Sequence, residues 1–213
     1  MLAPRRRQTG DLQASDPRER ILAAMVATVA RRGLARTTVG RVTLLAGVPE
    51  ALFHEHFEDR DDCFLAAIDE ILTDIELLVL RSFSRPVGWP QRVKLGLRAL
   101  LDAIASYPDG AKAAVVESYA ATDQTRERYS RTLRMLVPLI EEGRPLARYP
   151  DSLTEQASHA IVGGIASIVH RRVLEDRTDE LPSLLGELTF FALMPFLGNE
   201  HALEASGMRS KKR

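Results

Sequence analysis

The sequence predicts an all-α fold of about nine helices, an N-terminal helix-turn-helix three-helix domain followed by a C-terminal helical bundle. Three observations carry this. Apolar residues recur at three- and four-residue intervals, helix-starting and helix-stopping residues bracket those stretches, and no stretch keeps a strand's alternation for long. With 213 residues, a core burying roughly two thirds or more of the unfolded surface is within reach.

Residues 1–16 are polar, carry Arg5, Arg6 and Arg7, and read as a flexible basic arm. Pro17 suits the first turn of helix one, in which Ile21, Met25, Val26 and Val29 follow helical spacing and Gly33 is the stop. Thr37 and Thr38 can cap the second helix, because a hydroxyl accepts from a first-turn N–H. Val39, Val42 and Ala46 face one way along it, and Gly47 ends it by tolerating a left-handed conformation. Pro49 opens a third helix over 50–56, with Phe53 and Phe57 on one side. Two helices around a glycine turn result, with Val42, Leu45, Val48 and Phe53 expected to fix their angle.

Asp59 and Asp62 resemble a capping box for a long fourth helix, striped by Phe64, Ile68, Ile71, Ile75 and Leu78 or Val79. Pro86, Gly88 and Pro90 break it. Further helices are expected over about 91–106, 109–119, 123–142 with a kink at Pro138, 153–175 after a Ser152/Glu155 capping box, and 181–197 with Pro182 in its first turn.

The 29 Lys and Arg balance the 29 Asp and Glu, so net charge gives no argument for a nucleic-acid partner. The sign is uneven, however. Arg5, Arg6, Arg7, Arg18, Arg20, Arg31, Arg32, Arg36 and Arg41 outnumber the early acids, whereas Arg60 is the one cation among the carboxylates from Glu55 to Glu76. A basic N-terminal face is implied. The single cysteine, Cys63, excludes an intramolecular disulfide and fits a reducing cytoplasm. No window is expected to reach the eighteen or so uninterrupted apolar residues of a membrane span.

The run TTVGRVTLLAGV, then Phe53, His56 and Phe57, then DRDDCFLAA, resembles the tetracycline-repressor-like (TetR) family of transcriptional regulators, of actinobacterial type. The resemblance is specific over about 21–67 and one of pattern elsewhere. It implies a helix-turn-helix domain over 17–63, a helical ligand-binding and dimerisation domain over 64–200, and a basic tail over 201–213. It also implies DNA contacts from Arg36, Thr37, Thr38, Arg41, Pro49, Glu50, Ala51, Leu52, His54, His56 and Arg60. Leu52 and His54 stand where the family commonly has hydroxyls that reach the DNA backbone, so phosphate affinity should come more from the flanking arginines and the arm. Glu50 could accept from cytosine N4, and Leu52 could touch a thymine methyl.

The family's last two helices form its dimer, which implies an interface at Gly163, Gly164, Ile168, Leu184, Leu188 and Phe191. Two adjacent glycines in a helix cost roughly 1 kcal/mol each relative to Ala, and the close approach of another helix is the natural compensation. The middle helices should enclose a small-molecule pocket, with Leu97, Leu101, Tyr119, Met135 and Leu139 as candidates for an apolar or amphipathic effector. A plain core stripe is the competing reading of those positions.

The implied partners are double-stranded DNA bearing a palindromic operator, a second copy of the chain and an unidentified effector. The implied function is a homodimeric, cytoplasmic regulator, a repressor released by that effector. An enzyme is not expected. The sequence has no nucleophile elbow, zinc-protease motif, P-loop or dinucleotide-binding turn, and neither a metal site nor a cofactor is expected. The alternative is a helical protein-interaction module with little DNA affinity, which Glu50 and Glu55 on the reading helix make conceivable.

Overall fold

The structure, a computed structural model, describes residue 12 and residues 14–208, with the side chain of Ser152 left out. The arginine cluster at 5–7 and the end of the tail, 209–213, lie outside the described residues. Among those described, every regular element is helical. The chain divides into two compact units, one of residues 1–73 and 106–129 and the other of 74–105 and 130–213.

The first unit is built around α1 (Pro17–Arg32). Asp16 caps it by accepting from the Arg18 N–H at 3.0 Å, with Pro17 at its first position. It is buried on almost every side, from Ile21 and Leu22 through Met25, Val29 and Ala30, as only a helix covered by several others can be. The sequence showed one face. The rest of the cover comes from a distant segment: α6 (Pro108–Ala111), a π-helical turn (Lys112–Glu117) and α7 (Ser118–Ala120), whose Ala113 and Ala114 sit in the same core. This unit therefore extends well beyond residue 63.

A 3-10 turn (Leu34–Arg36) leads to α2 (Val39–Ala46), and α3 (Glu50–His56) follows. Gly33 ends α1 at φ 77° and ψ 156°, a region essentially confined to glycine. Gly47 ends α2 at φ 64° and ψ 39°, and the Val48 N–H reaches back to the Thr43 carbonyl at 3.1 Å to close a Schellman end. Val42, Val48 and Phe53 are buried as expected of the hairpin's inner contacts, but Leu45 is exposed at 38%. α4 (Arg60–Phe83) starts at Asp59, whose Oδ1 accepts from the Asp61 and Asp62 N–H groups, each at 2.9 Å. Asp62 completes the box by accepting from the Glu58 N–H, one residue earlier than the usual partner.

The second unit holds α5 (Trp89–Ser106), most of α8 (Asp123–Glu141), α9 (Glu155–Leu174) and α10 (Leu185–Ser206). α5 begins before Gln91 because Trp89 is itself a core residue. Its indole N–H donates to the Leu139 carbonyl at 2.9 Å, and its ring meets Phe196 edge-on at 5.0 Å. Thr154, rather than Ser152, caps α9 by position, since Ser152 belongs to a preceding 3-10 turn.

The most apolar long segment carries Asp179, Glu180 and Glu187, so it is not an uninterrupted apolar run. Thr178–Ser206 is long and apolar enough to cross a membrane by length and composition, with mean hydropathy 1.4. It is not one straight helix: a 3-10 turn runs to Leu184, Pro195 interrupts the bonding, and Gly198 at φ 74° and ψ 172° breaks the path.

Substituting Gly33 or Gly47, the glycines that end α1 and α2, tests this architecture. Gly47→Ala should lower stability by roughly 1–2 kcal/mol, the cost of a left-handed non-glycine residue. Gly33→Ala should cost at least as much, roughly 1–3 kcal/mol. Urea unfolding followed by circular dichroism measures both.

Candidate nucleic-acid interface

The outward side of the hairpin is set by what its inward side anchors. Phe53 is fully buried and Phe57 is 4% exposed, their rings 5.5 Å apart, so α3 turns Glu50, Ala51, His54 and Glu55 to solvent. Pro49, His56, Arg36, Thr38 and Arg41 are exposed as well. Thr38 caps α2 by accepting from the Arg41 N–H at 3.4 Å. Arg41 Nη1 donates to the Arg36 carbonyl at 2.6 Å, which holds two cationic residues side by side at the start of α2. His54 rests edge-on to Phe53 at 5.3 Å and His56 lies 6.2 Å from Phe57, so both imidazoles are braced at their bases with their outer atoms in solvent.

Three expected contact residues have other work. Thr37 is 1% exposed and its hydroxyl donates to the Gly33 carbonyl at 3.0 Å, so it locks the link between α1 and α2 and offers nothing outward. Leu52 packs, half-buried, against the core of its own unit, because its position on α3 lies beside Phe53 rather than opposite it. Arg60 is half-buried; Nε and Nη2 hold Asp61 at 2.7 and 2.6 Å, and Nη1 donates to the Leu34 and Thr37 carbonyls at 3.3 and 3.4 Å. It is a clamp between α4 and the link, its charge largely answered by Asp61.

Arg18 and Arg20 likewise leave the basic face thinner than composition implied. Arg18 pairs with Glu70 at 2.7 Å, and Arg20 Nε caps the end of α2 at the Ala46 carbonyl, 3.2 Å away. Arg31, Arg32, Arg36 and Arg41 remain exposed. Cys63 is fully buried, and burial pushes its thiol well above the ordinary range, so it is an inert core group. Among the described residues, no group of three or more His, Cys, Asp or Glu could hold a metal ion.

In the second unit, Gly163 is exposed and a Cβ built on it would meet nothing within 4 Å. Gly164 packs against the Phe191 ring, where a Cβ would lie at 3.2 Å, while Phe191 itself is 42% exposed. Ile168 and Leu184 are half-buried. Leu188 does not belong with them: at 3% exposure it fills the unit's own core. Met194, 42% exposed, and Leu174, 56% exposed, extend the apolar surface and escaped the sequence reading, in which they looked like ordinary helix positions.

The pocket candidates do not fall together. Leu97 and Leu101 are buried in the second unit, Met135 and Leu139 are half-buried there, and Tyr119 is 59% exposed in the first. None lines the open cleft of about 1100 Å³ beside the Gly198 break. That cleft is walled by Leu146, Leu153, Met194, Phe196 and Leu197 and rimmed by Arg148, whose guanidinium lies 5.4 Å from the Tyr149 ring centre.

Residues 21–67 match the family described as bacterial regulatory proteins, tetR family. The fold is shared with the fatty acid degradation regulator FadR of Bacillus halodurans, at TM-score 0.72 and 17% identity over 82% of this chain and 97% of that one. It is also shared with FadR of Bacillus subtilis, solved in complex with stearoyl-CoA, at TM-score 0.68 and 14% identity over 84% and 97%. A tetR-family regulatory protein of Rhodococcus RHA1 aligns at TM-score 0.70 and 13% identity over 86% and 98%. The matched span coincides with the hairpin whose outward face carries Arg36, Thr38, Arg41, Glu50 and His54, so the likeness to the tetR family of bacterial regulatory proteins falls on the segment that presents those residues.

Proposed function

We propose that the protein is a homodimeric transcriptional regulator, a repressor released from a palindromic operator by a small apolar or amphipathic effector. One observation carries the DNA-binding half of this reading: α3 is fixed by the wholly buried Phe53 and keeps Glu50, Ala51 and His54 outward, the condition for a reading helix to enter a major groove. The exposed, uncovered Gly163 and the exposed Phe191 support self-association, and a two-fold protein calls for a two-fold operator. The cleft along α10 supports an effector with a long apolar part, which is the character of the ligand bound to the Bacillus subtilis regulator. An effector acts only by its different affinity for two states of the regulator.

Arg41→Ala should weaken binding to a duplex selected from a random pool and lower the steepness of log affinity against log salt by about one for each phosphate that Arg41 neutralises. Gel shifts between 50 and 200 mM salt read this, those limits being roughly the span over which phosphate contacts register. An unchanged slope counts against Arg41 as a phosphate ligand, and no retained duplex at all counts for the interaction-module alternative.

Gly163→Trp separates a dimer face from plain surface. The added side chain meets no atom of its own chain at its Cβ and helix propensity improves, so the fold should stay intact. Sedimentation equilibrium should show the dimer replaced by monomer; an unaltered dimer means that this face is not the interface. For the effector class, stearoyl-CoA should release the selected duplex in the same gel shift, and retention at saturating ligand would exclude long acyl thioesters.

A further inference from the structure

We infer that Glu117 is a positioning residue for DNA binding: its carboxylate holds the link that sets where the hairpin's phosphate-facing residues stand. The inference rests on the DNA-binding reading above. The link is the 3-10 turn Leu34–Arg36, and Arg36, Thr38 and Arg41 come directly after or within it. Glu117 lies 83 residues further along the chain, yet its Oε2 accepts from the Leu34 N–H at 3.0 Å. The same oxygen is 3.5 Å from where a Cβ on Gly33 would be, so the carboxylate sits against both residues of the turn's entry.

From the other side Arg60 donates to the Leu34 carbonyl, and Thr37 donates to that of Gly33. Leu34 is thus held at its N–H by an acid and at its carbonyl by a base, with its side chain 5% exposed. Removing the acid strands a donor in a part-buried site, which costs more than an ordinary surface bond gains.

The π-helical turn explains how so distant a residue arrives there. Ala113 and Ala114 seat the turn against the core around α1, the Ser118 hydroxyl donates to the Ala114 carbonyl, and Thr125 donates to the Ser118 carbonyl at 2.8 Å. A π turn carries one residue more per bonded ring than an α turn, so it sets the direction in which Glu117 leaves the helix. Restoring a plain α turn would swing that side chain by roughly 100° around the axis and take the carboxylate off Leu34.

Two variants of similar size isolate the acceptor. Glu117→Gln removes the charge and keeps an oxygen; Glu117→Met removes both. In the full-length protein, amide exchange at Leu34 should quicken about tenfold in Glu117→Met and stay within about threefold of wild type in Glu117→Gln, while Met25 and Val29 on α1 are unchanged. Affinity for the selected duplex should fall about tenfold in Glu117→Met at every salt concentration with the slope retained, because the phosphate-facing side chains are all still present, and Glu117→Gln should bind within about threefold of wild type.

Unchanged exchange at Leu34 in Glu117→Met overturns the inference. So does tighter binding in both variants, the mark of a simple negative charge near DNA. If Glu117→Met does not fold, Glu117→Ala, which also removes the acceptor, takes its place in both measurements, with the same outcomes deciding. A wild-type protein that retains no duplex at low salt sinks the regulator reading and the DNA part of this inference with it, whereas exchange at Leu34 still decides whether the carboxylate holds the link.

Discussion

Burial of Phe53 is the constraint on which the interface depends. α3 has seven residues, Pro49 at its entry supplies no side-chain cap, and a helix so short has no standing in water by itself. Its direction is therefore imposed from within. A fully buried phenylalanine contributes roughly 1.5–3 kcal/mol by transfer from water, more than any one cap or surface pair on the hairpin can supply. Gly47 then decides how the chain reaches that anchor, because a left-handed residue closes α2 in time for Val48 and Phe53 to enter the same core. The outward residues of α3 are what remains once those two requirements are met.

The electrostatics of the first unit follow from the same constraint. Arginines that composition would assign to a DNA-facing surface are used to hold backbone or a neighbouring acid: Arg20 at the end of α2, Arg60 at the link, Arg18 against Glu70. Arg20 reaches the Ala46 carbonyl at the end of α2, where last-turn carbonyls lack an intrahelical partner, and Arg60 reaches the Thr37 carbonyl and that of Leu34, which also accepts from the Thr37 N–H. Those left on the surface, Arg31, Arg32, Arg36 and Arg41, cluster at the end of α1 and the start of α2. α3 itself presents Glu50 and Glu55. The positive charge of this unit thus lies beside α3 rather than on it, which is where the proposed phosphate contacts would be made.

Much of this was legible in the sequence, for physical reasons that differ by element. Caps and stops are local: Asp16, Pro17, Gly33, Thr38, Gly47 and Asp59 each act within a few residues, so α1 to α4 could be bounded from their own residues and from the family pattern they form. Thr37 and Thr38 were indistinguishable because either hydroxyl can cap; only the path of the link shows that one of them points inward. The return of 106–129 to cover α1 left no local sign, since Ala113 and Ala114 look the same whether they face this core or another. The π turn was likewise invisible, because nothing in AKAAVVES forbids an ordinary α-helix. Leu188 and Phe191 share one helix and one apolar character, and their separation into core and surface depends on where α9 crosses. The glycine pair illustrates the same limit: one reason seemed to serve for both, whereas Gly164 accommodates Phe191 and Gly163 faces open space.

A weakly equipped reading helix and an uncovered helical face are connected on the proposed dimer. Two linked half-sites turn the second contact into an intramolecular event, with an effective concentration in the millimolar range for short flexible connections, so modest half-site affinity suffices only when both helices reach the duplex together. Occupancy then depends on their spacing. A strong monomeric reader would remain bound after the spacing changed, and an effector would have to overcome that residual affinity. In the proposed regulator, exposed Glu50, half-buried Leu52 and arginines committed to the scaffold would keep the residual affinity small. On the proposed regulator, the departures from a strongly basic reader would make control by pairing easier, since the effector's differential affinity for the two spacings has less residual monomeric binding to overcome.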